Sequence, residues 1–266
     1  SSPPAFFAIG QFYDDFSQTS DAEVAACLDR AVGNATLRPT ANDRPGEPAA
    51  TVDAVDAEVL IPAGAIGLPG HLTVPANATG IVAFAHGSGS SRDSPRNRYV
   101  AALLNDAGLG SLLFDLLTPK EEADRANVFD IGLLAGRLAA ATSWLRSQPG
   151  TAGLPVGYFG ASTGAAAALL AAAEPGSEVA AVVSRGGRPD LAGPRLGLVR
   201  APVLLIVGGA DEAVLALNRQ AQSELNCPNE LAVVPGATHL FEEPGALAQA
   251  AILARDWFTT QFSSPT

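Results

Sequence analysis

From about residue 55 onward, short apolar runs alternate with longer stretches in which apolar residues recur every three or four positions. The runs Ala57–Pro62 and His71–Pro75 read as two strands joined by a turn over Gly64–Gly70. Ile81–His86 reads as a third strand and Gly110–Leu116 as a fourth, with Val100–Ala107 in a helix between them. Ile131–Arg146 has the spacing of a long amphipathic helix. A strand over 155–160 then runs into an alanine-rich helix. Val179–Ser184, Pro202–Val207 and Glu230–Val234 complete the strands, and Ala213–Leu225 and Gly245–Phe258 the helices. Strands of Val, Ile and Leu that alternate with helices predict an α/β fold. Its sheet is mostly parallel, of about eight strands, with helices on both faces. The interval between Ser184 and Pro202 is too short for a large cap domain.

The first 54 residues differ from this pattern. Phe6, Phe7, Phe12, Tyr13 and Phe16 crowd into residues 1–33, and Ser20-Asp21-Ala22-Glu23 has the form of a capping box that starts one helix. Residues 34–54, with Pro39, Pro45, Gly46 and Pro48, read as a linker. The expected main α/β domain is therefore 55–266.

In parallel sheets, ligands bind beyond the carboxyl ends of the strands. The residues at those ends are His86-Gly87-Ser88, Asp115, Ser162, Arg185-Gly186-Gly187, Asp211 and His239. Ser162 lies in Gly160-Ala161-Ser162-Thr163-Gly164, the Gly-x-Ser-x-Gly pattern of a serine held on a strand-to-helix turn. In α/β-hydrolases the serine is followed along the chain by an acid and then a histidine. His71 and His86 precede Ser162, so only His239 can be the base. Asp211 is the expected acid, with Glu212 as the alternative. His239 would take the serine proton, and Asp211 would fix the imidazole tautomer. The N–H groups of Thr163 and Ser88, or Gly87 in place of Ser88, would hold the oxyanion. Arg185 and His86 are candidates for substrate binding.

Composition narrows the partners. The net charge of −11, with 16 basic residues against 27 acidic, disfavours nucleic acid and anionic membrane. No apolar run reaches the roughly 20 residues of a membrane span. The start, Ser1-Ser2-Pro3-Pro4, lacks the form of a signal peptide, so a cytoplasmic location is expected. There is no methionine, even at the first position, so the chain reads as a processed product, a trimmed piece or part of a longer polypeptide. Two distant cysteines, Cys27 and Cys227, argue against a disulfide framework. Three histidines without close spacing argue against a metal site. No cofactor is implied, and the oligomeric state is open.

Five segments carry a resemblance to the dienelactone hydrolase-like serine α/β-hydrolases over roughly 55–260. They are Ala85–Gly89, Leu113–Thr118, Gly160–Gly164, Val207–Asp211 and Gly236–His239. Dienelactone hydrolases proper use a cysteine nucleophile. The serine at 162 implies instead a carboxylesterase that cleaves small or short-acyl esters through an acyl-serine. The segment Phe12–Val24 is similar to the C-terminal tail of phosphoribosyltransferase domains, but the acidic pyrophosphate-binding motif of those enzymes is absent from the chain. A perhydrolase or haloperoxidase-like activity would use the same three residues. A non-catalytic binding or regulatory domain left from a phosphoribosyltransferase fusion is the reading from a different class.

Overall fold

The structure, a computed structural model, describes residues 54–263. The expected appendage at 1–33 and linker at 34–54, apart from Ala54, lie outside the described residues, as do 264–266.

Strands β1 (Val55–Ala63) and β2 (Ile66–Val74) form an antiparallel hairpin. The expected long turn is a correction: only Gly64 and Ala65 lie between the strands, and Gly64 takes φ +70°. Gly67 and Gly70 look like turn residues but sit inside β2. A Cβ on Gly67 would lie 2.7 Å from the Leu60 side chain, and one on Gly70 would lie 2.9 Å from Phe114 Cβ. They are crossing points, where a bare backbone lets neighbouring strands approach.

The chain then alternates. β3 (Ile81–Ala85) leads to α1 (Pro95–Asp106) and β4 (Gly110–Phe114). Two helices of one turn each, α2 (Pro119–Glu122) and α3 (Arg125–Val128), precede the long α4 (Ile131–Ser147). β5 (Val156–Ala161), α5 (Thr163–Ala172) and β6 (Ala181–Arg185) follow. A 3₁₀ segment at Pro189–Leu198 precedes β7 (Val203–Gly208), α6 (Glu212–Glu224), β8 (Asn229–Val234) and α7 (Ala246–Ser263).

The eight strands lie in the order β1-β2-β4-β3-β5-β6-β7-β8, parallel from β4 to β8 and antiparallel across β1, β2 and β4. Among the described residues this is the expected α/β-hydrolase architecture. Adjacent residues of β5 show that both faces are covered. Gly157 lies under Phe258 of α7, while the Tyr158 hydroxyl meets Thr142 Oγ1 of α4 at 2.7 Å. The 3₁₀ segment packs against α5 and α6.

The order also fixes where a site can form. From β3 the chain crosses outward to β4, then returns past β3 to build β5 and all later strands on the other side. The two connections leave the sheet in opposite directions, which opens a crevice between the carboxyl ends of β3 and β5. Those ends carry the His86 loop and Ser162.

Candidate active site

Ser162 sits between β5 and α5 with φ 50° and ψ −120°. A non-glycine residue is strained at such angles and persists there only where its surroundings hold it. The two flanking glycines provide the room. A Cβ on Gly160 would lie 2.4 Å from Ala165 Cα, and one on Gly164 would lie 2.1 Å from the Ala85 carbonyl oxygen. The Ser162 N–H donates to the Arg185 carbonyl at 3.3 Å, and its own carbonyl accepts the Arg188 N–H at 3.1 Å.

Asp211 and His239 reach the same point from the far half of the sheet. Asp211 caps α6: its Oδ1 accepts the Val214 N–H at 3.4 Å. Its Oδ2 lies 2.7 Å from His239 Nδ1. That bond leaves Nε2 facing Ser162, 3.4 Å from Oγ. The Asp211 side chain is 4% exposed and the imidazole 28% exposed, so the carboxylate is sheltered while the ring edge stays open. Gly208 lets the His239 loop lie on β7, since a Cβ there would meet the Ala237 carbonyl oxygen at 2.3 Å. Glu212, the alternative acid, is the first residue of α6 and has no bond to His239 among those found.

The His86 loop abuts the start of α5. The Ser88 N–H, an expected oxyanion donor, points at Thr163 Oγ1 at 2.9 Å. Thr163 is fully buried, and its own N–H opens α5. Gly87, the alternative donor, lies against Ala161 and Ser162. His86 does not match its expected role in substrate binding. Its Nε2 accepts the Leu116 N–H at 3.1 Å, and its Nδ1 meets the Gly87 carbonyl at 3.1 Å, so both nitrogens are used by backbone. Burial holds its pKa below the usual imidazole value. His86 thus ties the end of β3 to the end of β4. A hollow of about 20 Å³ beside it is lined by Ser88, Asp115, Leu116 and Thr163, among others, and has room for about one water.

Arg92, which the sequence did not single out, anchors this loop. Its N–H donates to Asp115 Oδ1 at 2.8 Å, its Nε lies 3.4 Å from Asp115 Oδ2, and its Nη1 reaches Glu58 on β1. An acid at a strand end, facing an arginine beyond a serine-rich loop, was the available signal. Arg185, expected just past its strand, is the last residue of β6, in register with Ala161. It is 7% exposed. Phe241 went unnoticed in the sequence. It takes φ 58° two residues after His239 and places its ring 5.7 Å from the Arg185 guanidinium.

The family model for the dienelactone hydrolase family matches residues 101–262, which include Ser162, Asp211 and His239. The chain belongs to the dienelactone hydrolase family. A solved family structure, the dienelactone hydrolase from Anabaena variabilis, is 56% identical; the match covers 78% of this chain and 98% of that one, with a TM-score of 0.76. Est1E from Butyrivibrio proteoclasticus, at 15% identity and a TM-score of 0.66 over 78% of this chain and 99% of that one, shares the fold. A putative phosphoribosyl transferase of Mycobacterium tuberculosis H37Rv is 60% identical over 265 residues, covering 100% of this chain and 59% of its own length. The chain thus spans about three-fifths of that relative. Among the described residues, no helix is long and apolar enough to cross a membrane.

Proposed function

We propose that this dienelactone hydrolase-family chain is a serine hydrolase of small carboxylic esters, acting through an acyl-serine. The observation that carries the reading is His239 standing between Asp211 at 2.7 Å and Ser162 Oγ at 3.4 Å. A serine hydroxyl is a poor nucleophile until a base takes its proton. Ser162 Oγ attacks the ester carbonyl while His239 Nε2 accepts the proton. Asp211 holds the proton on Nδ1 and stabilises the imidazolium. The Thr163 N–H receives the negative oxygen, and so does the Ser88 N–H once it exchanges its bond with the Thr163 hydroxyl. The imidazolium protonates the leaving alcohol. Water, with its proton taken by His239, then attacks the acyl-serine; the Ser162–acyl bond breaks, His239 returns the proton to Ser162 Oγ, and the acid departs. The packing of the 3₁₀ segment against α5 and α6 supports a site without a cap, suited to small substrates. Phosphoribosyl transfer is not proposed, because the chain lacks the pyrophosphate-binding motif.

The test is labelling by a fluorophosphonate probe together with turnover of 4-nitrophenyl acetate. The parent protein is expected to show both. Ser162→Ala is expected to show no labelling and to lose turnover about a millionfold. Retention of most of the turnover in Ser162→Ala would overturn the reading. Peracid formation faster than ester hydrolysis would replace it with the perhydrolase reading.

A further inference from the structure

Asn218 lies on the buried face of α6 with Val214, Leu215 and Ala221, and is itself fully buried. Its amide nitrogen makes two hydrogen bonds, to the Gly187 carbonyl at 2.9 Å and to the Val214 carbonyl at 2.8 Å. Both partners are acceptors, so the edge turned to them is the NH₂, which alone can donate. The amide oxygen is buried and bonded to nothing. A bare buried oxygen is a standing cost to the fold. The other buried side chains of this helix face are apolar, and a leucine would fill the position without that cost. The two donated bonds are what the amide adds.

Those bonds end on two parts of the site. Val214 is the residue whose N–H is held by Asp211, the acid that contacts His239. Gly187 belongs to the segment after β6 that holds Ser162 by its backbone. In that segment the Arg185 carbonyl accepts the Ser162 N–H, and the Arg188 N–H donates to the Ser162 carbonyl. A Cβ on Gly187 would lie 2.0 Å from Ser184 Oγ and 2.6 Å from Ala165 Cβ, so the segment is pressed onto β6 and α5. Asn218 joins it to α6 as well. The margin at the nucleophile is small. Ser162 Oγ stands 3.4 Å from His239 Nε2, already at the long end of hydrogen-bond reach, so a retreat of a few tenths of an ångström would break the path of the proton.

We propose that Asn218 is a positioning residue for the nucleophile. It holds Gly187 and, through the backbone of Arg185 and Arg188, keeps the Ser162 turn within reach of His239. It touches neither the substrate nor the reacting atoms. The strained angles of Ser162 give the turn a lower-energy place to go if a neighbour lets go of it. Because the amide stands on the helix that Asp211 caps, the acid and the support of the serine are fixed from one element. Losing the bond to Gly187 slows the attack of Ser162 and leaves substrate binding nearly as it was. This inference rests on the serine-hydrolase reading.

The experiment follows labelling by a fluorophosphonate probe, which isolates the attack of Ser162, in the parent protein, Asn218→Leu, Asn218→Ser and Ala221→Gly. The maximal labelling rate and the half-saturating probe concentration are read separately. In Asn218→Ser the hydroxyl can bond back to the Val214 carbonyl, one turn earlier on the helix, but is too short for Gly187. This variant removes one bond only and stands in for Asn218→Leu if that protein does not fold. In both, the maximal rate should fall about 10- to 100-fold, with the half-saturating concentration changed by less than about twofold. Turnover of 4-nitrophenyl acetate, read as kcat/KM, should fall in parallel. Ala221→Gly loosens the same helix face without touching Gly187; it should lower the urea midpoint and keep the parent labelling rate. Labelling at the parent rate in Asn218→Ser, a change confined to the half-saturating concentration, or an equal loss in Ala221→Gly would overturn the inference and leave the esterase reading standing. Absence of labelling and of turnover in the parent protein would overturn the esterase reading itself, and this inference with it.

Discussion

His86 accepts the Leu116 N–H through Nε2, so its own proton must sit on Nδ1, facing the Gly87 carbonyl. Protonation would put a hydrogen between Nε2 and Leu116 N–H and break the tie between β3 and β4. Its folded pKa is depressed by burial, so below about pH 6.5 the unfolded chain binds the extra proton more readily. Its contribution to stability is present above that pH and is lost as pH falls toward the folded value. His71 acts in the opposite sense. Hydrogen bonds to Glu58 and then Asp56 raise its pKa, so its contribution is complete below pH 6.5 and is lost as pH rises. Thermal unfolding between pH 6.5 and 5 should therefore show a falling Tm. The fall should be shallower in His86→Gln, whose amide can make both bonds without titrating. An equal slope in the two proteins would remove His86 as its source. At this scale the sequence was informative where chain order narrowed the choice to Ser162, Asp211 and His239, which the fold brings within hydrogen-bonding reach of one another. It was silent on pairing. Nothing in the string marks the Arg185 Nε and Nη1 atoms as unbonded, as they are among the described residues.

The elements themselves were mostly legible, because burial imposes a period. The buried positions of α4, Leu134, Ala135, Leu138, Ala141, Thr142 and Leu145, follow helical spacing. The 3₁₀ segment was missed because Pro189, Gly193, Pro194 and Gly197 erase any period, and packing on α5 and α6 sets its shape. The hairpin was misread because glycine has two uses. Gly64 makes a turn, whereas Gly67 and Gly70 make room inside a strand. The same distinction separates two helical glycines. Gly136 of α4 has nothing within 4 Å of a Cβ, so Gly136→Ala should raise stability by about 0.5–1 kcal/mol. Gly164→Ala would drive a methyl into the Ala85 carbonyl and should lower stability by about 3 kcal/mol. Urea unfolding of both variants checks the contrast, and a similar effect in the two would contradict it.

Over the whole molecule, alternation of strands and helices implied a parallel sheet, but strand order was not readable, since the pattern of each strand is the same on either side of β3. The order matters because it creates the crevice at β3 and β5. It also places β5 at the centre, under α7. Phe258 is fully buried there against Gly157, so Phe258→Ala should cost about 3–5 kcal/mol in urea unfolding. The half-exposed Ile252 on the same helix should cost within about 0.5 kcal/mol when cut to alanine. Comparable losses would mean that α7 is not seated through Phe258. The contacts at Gly160, Gly164 and Gly208 bear on how such a protein can change over generations. Each is a joint with no clearance, where one added methyl already collides with backbone. The reacting centre is closed to gradual adjustment at these joints. A lineage that acquires a new substrate must vary what borders the joints, including the loop after β3, the Arg185 turn and the segment around Phe241, while the hinge between strand and helix is inherited unchanged.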